Sequence, residues 1–257
     1  MTTLLSIGSD AKTKKGEKVK VSTAIQYLRP YTLSGLGNLC AFASDGCAGE
    51  CLETAGRMKM NPAIMARQNR TELFMKDRKT YTTKLIFEIA QHKRKAEKLS
   101  MIPAVRLNGT SDVKWESTPI YDPAGNKIAN NIMELFPDVQ FYDYTKYPYA
   151  KRPKESLPSN YDLTFSRSET NDLEVLESLR NGRRVAVVGN TKIGEITPSP
   201  YSYSTIPLTY TAIDGSVWPV IDGDITDVRF NDPDGVIVWL SAKGKAKKDK
   251  SGFVVQV

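Results

Sequence analysis

Three cysteines, the only ones in this chain of 257 residues, lie within one short stretch. They are Cys40, Cys47 and Cys51, and such crowding differs from the scatter that is usual for cysteines of a hydrophobic core. Three thiolates can hold a zinc ion or an iron–sulfur cluster and leave one coordination position for another ligand. Their spacing matches neither the common zinc patterns nor those of ferredoxins, so the identity of the metal stays open. The alternatives are inert packed thiols, or one disulfide with a thiol left over.

Polar and ionisable side chains follow five of the six strands that the sequence predicts. Short apolar runs alternate with helical patterns, which favours a parallel sheet. Because ligands of such folds bind beyond the carboxyl ends of the strands, we expect a catalytic cleft there. The segments that follow the predicted strands are 106–112, 143–146, 166–169, 222–224 and 241–245.

The predicted elements indicate one α/β domain. Asn61 followed by Pro62 is typical of a helix start, and Asn181 followed by Gly182 is typical of a helix end. Helices are expected at 80–99, 128–136 and 173–179, and strands at 102–107, 139–143, 161–165, 184–188, 220–221 and 236–240. We therefore predict a parallel-sheet (β/α) barrel or partial barrel over 21–257, with a cysteine loop at 38–52 and an irregular insertion at 190–219. Residues 1–20 are predicted to form a polar, basic segment that is either an exposed arm or an edge hairpin.

The chain carries a formal net charge of +7, which favours an anionic partner and nucleic acid above all. Neither a secretory leader nor an apolar run of about 18 residues is present, so we expect a soluble cytosolic protein without membrane contact. Phosphate loops, dinucleotide fingerprints and zinc-binding His-Glu-x-x-His helices are also missing from the sequence. The cations that could contact phosphates are Arg57, Arg67, Arg70, Arg106, Lys146, Arg167, Lys243, Lys245 and Lys247.

Motifs at 37–57, 105–112, 141–146, 163–167, 220–224 and 242–244 occur in the order seen in one known family. From about residue 34 to the C-terminus the chain resembles the phage proteins called the gene-88 family. The resemblance implies a phage gene, a host cytoplasmic location and work on phage or host nucleic acid. Some phages replace guanine in their DNA with a deazaguanine, using barrel enzymes similar to queuine tRNA-ribosyltransferases, and the resemblance suggests a link to that chemistry.

Base exchange in DNA is the first mechanism that fits these residues, and it would protect phage DNA from host restriction. A carboxylate displaces guanine from the anomeric carbon of a flipped nucleotide, and a free 7-deazaguanine base then displaces the carboxylate. Asp222 and Asp224 are the preferred nucleophiles, and Asp112 and Asp143 would recognise the base and transfer protons. The residues expected to contact the base are Asn108, Tyr142 and Tyr144. In this mechanism the cysteines hold a structural zinc ion, and His92, on a predicted solvated helix face, is a weak candidate for its fourth ligand.

Two other functions stay open. Three cysteines in a loop that enters an α/β barrel resemble radical S-adenosylmethionine enzymes, whose iron–sulfur cluster leaves one iron for that cofactor, although the usual spacing of three and then two residues is absent here. The third possibility is a phage protein without catalytic activity that binds DNA or inhibits a host protein and contains a structural metal.

Overall fold

The computed structural model describes residues 3–8, 11–122, 124–191 and 206–257. Within these residues the chain forms a sheet of nine strands, a ribbon of two strands and six α-helices. The large sheet consists of β1 (Leu5–Ile7), β2 (Val21–Gln26), β3 (Ile102–Arg106), β6 (Gln140–Thr145), β7 (Tyr161–Ser166), β8 (Val185–Gly189), β9 (Thr209–Thr211), β10 (Val217–Asp222) and β11 (Ile237–Ser241). The ribbon consists of β4 (Ile120–Tyr121) and β5 (Lys127–Ala129). The helices are α1 (Ala11–Glu17), α2 (Asp45–Gly49), α3 (Asn61–Lys76), α4 (Arg78–Lys98), α5 (Ile132–Leu135) and α6 (Asp172–Arg180).

Seven neighbouring strands of the large sheet run parallel. The strand order is β1-β2-β3-β6-β7-β8-β11-β10-β9, and only the outermost pairs, β1 with β2 and β9 with β10, are antiparallel. The predicted α/β class and the predicted parallel strands are therefore confirmed. A closed barrel is wrong, because the two outermost strands, β1 and β9, do not pair with each other within the described residues.

One face of the sheet is apolar and is covered by helices. Alternate strand residues point to this face, as the pleat of a strand requires. The larger core cluster joins strand residues such as Val105 and Phe141 to Tyr81, Leu85 and Ile89 of α4. A second cluster packs α6 against β7, β8 and β11, with Val175, Leu179, Phe165, Val187 and Trp239 as members. These contacts explain why the strands appear in the sequence as short apolar runs.

The opposite face of the sheet carries buried charged groups. Part of the connection between β10 and β11, residues 226–232, packs against this face. Its Val228 belongs to one apolar cluster with Val21 and Ala104. Arg106 of β3 forms an ion pair with Asp227 of that connection. Because both partners are buried, removing either would leave an uncompensated charge, which costs about 3–5 kcal/mol.

The first twenty residues differ from the predicted arm. Leu4 and Leu5 are buried, and their N–H groups donate to the carboxylate of Glu88 in α4 at 2.8–3.0 Å. Strand β1 therefore joins the sheet, and Lys15 of α1 donates a hydrogen bond to the backbone oxygen of Asp224. Of the predicted insertion at 190–219, residues 192–205 lie outside the described residues, and the rest contains β9 and the first three residues of β10.

The helix boundaries follow the local signals. Helix α3 begins at Asn61 with Pro62 in its first turn, and α4 is capped by the side chain of Asp77, which accepts from the Thr80 N–H at 3.0 Å. Helix α6 ends before Gly182, whose φ of 69° lies in the left-handed region. The helix start predicted at 61–62 and the helix end predicted at 181–182 are confirmed to within one residue, although Met60 and not Asn61 occupies the cap of α3. The helix expected at 128–136 is reduced to α5, because Lys127–Ala129 form β5.

Gly189 at the end of β8 permits a close approach to Trp239 in β11. A Cβ atom at Gly189 would lie 1.8 Å from Cζ2 of the indole ring, which is buried. We expect Gly189→Ala to lower the free energy of unfolding by about 3 kcal/mol, because the ring has to shift within a packed core. Urea unfolding measures this change.

The matched control is Gly49→Ala, since a Cβ there meets no atom within 4 Å. The unfolding midpoint of this variant should stay near that of the unmodified protein. Equal midpoints for the two glycine variants would contradict the packing described for Trp239.

Candidate functional site

A cavity of about 310 Å³ opens at the carboxyl ends of the parallel strands, the edge at which the sequence predicts a cleft. Residues from β3, β6, β7, β8 and β11 form part of its wall, and all three cysteines contribute to it. The strand residues on the wall are Arg106, Tyr144, Thr145, Ser166, Ala186, Val188, Leu240 and Ser241. The cavity therefore brings the cysteine loop together with the strand ends.

The cysteine loop is held by groups from the second half of the chain. The carboxylate of Glu169, after β7, accepts from the Ser44 hydroxyl and from the Gly46 N–H, both at 2.8 Å. Ser44 in turn caps the short helix α2 by accepting from the Cys47 N–H at 3.2 Å. Cys47 also packs against an apolar cluster near the C-terminus that includes Phe253. Two independent contacts thus fix the loop over the sheet edge.

The three thiols are partly buried and not in disulfides. Burial raises the pKa of Cys40 to about 12 and that of Cys51 to about 11, and it also raises the pKa of Cys47. The negative charges that Asp112 and the other two thiols would carry raise the pKa of Cys40 further, whereas the Tyr31 N–H, 3.3 Å from its Sγ, lowers it. In the described part of the chain, no set of three Cys, His, Asp or Glu side chains is already arranged to ligate a metal.

Asp112 lies on the cavity wall within a buried network. One carboxylate oxygen accepts from Arg152 Nη1 at 3.0 Å, and the other accepts from the Lys146 N–H at 2.7 Å and the Thr145 hydroxyl at 3.2 Å. Arg152 also forms an ion pair of 2.7 Å with Glu116. Burial raises the pKa of Asp112 in spite of the neighbouring Arg152.

Asp143 is buried and is not part of the cavity wall. Its carboxylate accepts from the Asn108 N–H at 2.8 Å and from the Tyr161 hydroxyl at 3.1 Å. Burial raises the pKa of Asp143 to about 7, although Arg106 and these hydrogen bonds oppose the shift. The side-chain oxygen of Asn108 accepts from the Ser111 hydroxyl, so the polar groups after β3 hold one another in place.

Asp224 lies on the cavity wall, whereas Asp222 does not. The Asp224 carboxylate pairs with Lys243 at 2.6 Å and accepts from the Ser241 N–H at 3.0 Å. The side chain of Asp222 accepts from the Asp224 N–H at 2.8 Å, which closes a turn. Of the four predicted catalytic carboxylates, the cavity therefore brings together only Asp112 and Asp224.

The predicted phosphate-binding cations fall into three groups. On the cavity wall are Arg106, Lys146 and Lys243, and the ammonium of Lys146 donates to Ser166 Oγ at 2.9 Å. Exposed groups are Arg57, Lys245 and Lys247. Half-buried or buried groups with protein partners are Arg67, Arg70 and Arg167.

Arg67 and Arg70 share a helix face, but that face is buried. Arg67 donates to the Met58 oxygen at 2.6 Å, and Arg70 donates to the Thr3 oxygen at 2.7 Å. A contact between these two cations and phosphate is not supported, because it would break both hydrogen bonds. Arg167 likewise donates to the Gly252 oxygen, at 2.6 Å.

Tyr142 and His92, which were also predicted for the site, lie away from the cavity as well. Tyr142 is buried below Phe230, with ring centroids 5.3 Å apart, whereas Tyr144 lies on the wall. His92 is 1% exposed, and its Nε2 contacts the backbone oxygens of Ser22 and Ala104 at 2.9 and 3.1 Å. The solvated position predicted for His92 is wrong, and its contacts with the sheet give no support to a ligand role.

Sequence reasoning missed several groups at this site, of which Glu50 and Asp227 lie on the cavity wall. Glu50 Oε2 is buried and has no hydrogen-bond partner among the described residues. Its position between Cys47 and Cys51 was an available signal. Asp227 gave no such signal, because its pairing with Arg106 depends on how residues 226–232 cross the sheet.

The raised pKa of Asp143 predicts a pH-dependent stability. The folded state holds this proton more tightly than the unfolded chain, so stability falls as pH rises from about 4 toward 7. Asp143→Asn should remove this loss, up to about 1.4 kcal/mol per pH unit, because an amide accepts from Asn108 without carrying charge. Urea unfolding of both proteins at several pH values measures the difference.

The control for this experiment is Asp138→Asn, whose side chain is 75% exposed. It should follow the unmodified protein at every pH. If the free energy of unfolding changed with pH in the same way for the unmodified protein and Asp143→Asn, the raised pKa of Asp143 would be contradicted.

Comparison with known proteins gives one match. No curated protein and no solved structure matches the chain significantly. None of the helices in the described residues is long and apolar enough to cross a membrane. A family model described as Gene product 88 matches residues 3–257, almost the whole sequence, and confirms the resemblance to the phage gene-88 proteins. The chain therefore belongs to the Gene product 88 family.

Proposed function

We propose that this protein is an enzyme whose Cys40, Cys47 and Cys51 hold an iron–sulfur cluster that binds S-adenosylmethionine. The observation that carries the proposal is that all three thiols line the cavity at the carboxyl ends of the parallel strands. A structural zinc site is closed and needs no such cavity, whereas a catalytic centre needs an open position beside a substrate site. Three thiolates leave one iron of a four-iron cluster without a protein ligand.

The cavity wall also supports the curved sheet of a partial barrel. Arg106 of β3 and Asp224, after β10, both line the cavity, although β3 and β10 are five strand spacings apart in the sheet. In a flat sheet this separation would be about 24 Å, which is too wide for one cavity of this volume. The ion pair between Arg106 and Asp227 joins the same two regions. A curved sheet would let these strand ends surround one substrate.

The carboxylates on the cavity wall are suitable hydrogen-bond acceptors for this cofactor. S-adenosylmethionine carries a positive sulfonium and an amino group, and the unpartnered oxygen of Glu50 is an acceptor for such a donor. Asp112 and Asp224 add negative charge to the wall. When bound, the cluster and S-adenosylmethionine supply radical chemistry. To hold the cluster, the three thiols would have to rearrange from the positions described here and lose their protons.

Base exchange with a structural zinc ion stays the competing prediction. It requires a carboxylate that is available to attack the sugar. The two carboxylates predicted for catalysis that line the wall are already engaged, Asp112 with Arg152 and Asp224 with Lys243. Asp222, one of the two preferred nucleophiles, lies off the wall, whereas the cysteines lie on it. These positions favour the cluster over the zinc-dependent mechanism, and membership of a phage family supports action in the infected host cell.

The metal content tests the cluster. Protein purified without oxygen should be brown and contain about four iron atoms per chain. Cys40→Ser, Cys47→Ser and Cys51→Ser should each lose most of this iron, because a hydroxyl is a poor ligand for it. Ala43→Ser is the matched control, since it adds a hydroxyl to the same loop and should keep the iron. Colourless protein with one zinc ion would instead support base exchange or a binding protein.

Cofactor cleavage separates the two mechanisms. With dithionite as the electron donor, we expect conversion of S-adenosylmethionine to methionine and 5′-deoxyadenosine, with loss of activity in each cysteine variant. Asp222→Asn should retain this activity, because Asp222 lies off the wall. Incorporation of a free deazaguanine base into DNA that is lost in Asp222→Asn, without cleavage of the cofactor, would overturn the proposal.

A further inference from the structure

Two short 3₁₀ helices carry five exposed cations beside the cavity. The helices are Gly56–Lys59 and Gly244–Lys248. The exposed cations, called the basic strip below, are Arg57, Lys59, Lys245, Lys247 and Lys248. The two segments adjoin, because the position of a Cβ on Gly244 would be 2.8 Å from Cβ of Ala55. Parts of the chain that are almost 200 residues apart thus form one positive surface.

The basic strip starts at the rim of the cavity. Cys51 and Leu52 precede the first helix of the strip, Lys243 directly precedes the second, and Ala246 belongs to the second; all four residues line the cavity. The buried arginines of the sheet pair with carboxylates, as Arg106 does with Asp227, whereas the described ion pairs involve none of the five strip cations. The strip therefore presents unneutralised positive charge to an approaching molecule.

An aromatic pair occupies another stretch of the rim. The rings of Phe42 and Tyr147 have centroids 4.6 Å apart, and both residues are half-buried. Their chain neighbours Ala43 and Lys146 line the cavity. Nζ of Lys151 lies 4.7 Å from the centre of the Phe42 ring, so this stretch also carries positive charge. Half-exposed rings next to cations are the features on which single-stranded nucleic acids bind.

We propose that the substrate of this site is a single-stranded nucleic acid. Its phosphates lie on the basic strip, a base stacks on the pair formed by Phe42 and Tyr147, and one nucleotide enters the cavity. A single strand is favoured over a duplex because a base of a duplex first has to be unpaired and flipped out of the stack, which costs a few kcal/mol. The reaction at that nucleotide rests on the proposed function, but the binding does not depend on the cluster.

Binding is measured by fluorescence anisotropy of the full chain with labelled single-stranded DNA and RNA oligonucleotides of the same base order. Affinity should fall with salt at a log–log slope of about −0.7 per neutralised phosphate. Lys245→Ala, Lys247→Ala and Lys248→Ala combined should reduce the magnitude of that slope by about 2, and should weaken binding at least about tenfold at 50 mM salt. Preference for either DNA or RNA supports the proposal and identifies the sugar.

The matched control removes three exposed cations from the last turns of α4, which do not line the cavity. It combines Arg94→Ala, Lys95→Ala and Lys98→Ala, and it should leave the slope unchanged. If both triple variants changed the salt dependence equally, the basic strip would contribute only through the net charge of the protein. That result would overturn the proposal. Binding by the unmodified protein that is absent at low salt, or insensitive to salt, would overturn it as well.

An abasic oligonucleotide of equal length tests whether bases are recognised. The normal strand should bind more tightly than the abasic one, and Tyr147→Leu should reduce this difference. Equal affinity of the unmodified protein for both strands would overturn the assignment to nucleic acid. Iron content measured on the same samples keeps the two proposals separate, since binding without iron refutes only the cluster, and iron without binding refutes only the substrate.

Discussion

The ion pair between Arg106 and Asp227 determines where the cavity can form. Arg106 belongs to the second of the seven parallel strands, and Asp227 to the connection after the last of them in sheet order. Attraction between two buried charges is strong, and loss of either partner leaves the other without compensation. The Tyr144 hydroxyl donates to the same carboxylate at 3.4 Å. The pair therefore holds a distant connection against the sheet and closes the cavity from below.

The pairing of charged side chains differs between the interior of the protein, the wall of the cavity and its rim. Below the cavity, arginines are buried and paired, as Arg184 is with Asp162. On the wall, cations and carboxylates alternate, and Lys243 pairs with Asp224. At the rim, the five cations of the basic strip are exposed and take part in none of the described ion pairs. Part of the net charge of +7 thus lies where an anionic molecule would first meet the cavity.

The elements and the edge that carries the site could be predicted from the sequence, because apolar runs and helix signals are local. The sequence could not predict which individual side chains reach the cavity and which are buried. Tyr142 and Tyr144 alternate with the same core residues, yet only Tyr144 reaches the cavity, since residues 226–232 cover the deeper ring. From the sequence alone, Arg67 is expected to be an exposed cation. In the structure it lies beside Glu53 and donates a hydrogen bond to the backbone oxygen of Met58. Such partners come from segments whose placement depends on the finished fold.

The anchors of the cysteine loop also set the order of events during synthesis. The loop leaves the ribosome with the first part of the chain, whereas Glu169 and Phe253, which hold Ser44 and Cys47, are made much later. A nascent chain that ends at β3 therefore has its thiols but lacks both of these anchors. The metal centre proposed above would be loaded only after the polypeptide is complete, and a truncated product would expose its thiols without forming the site.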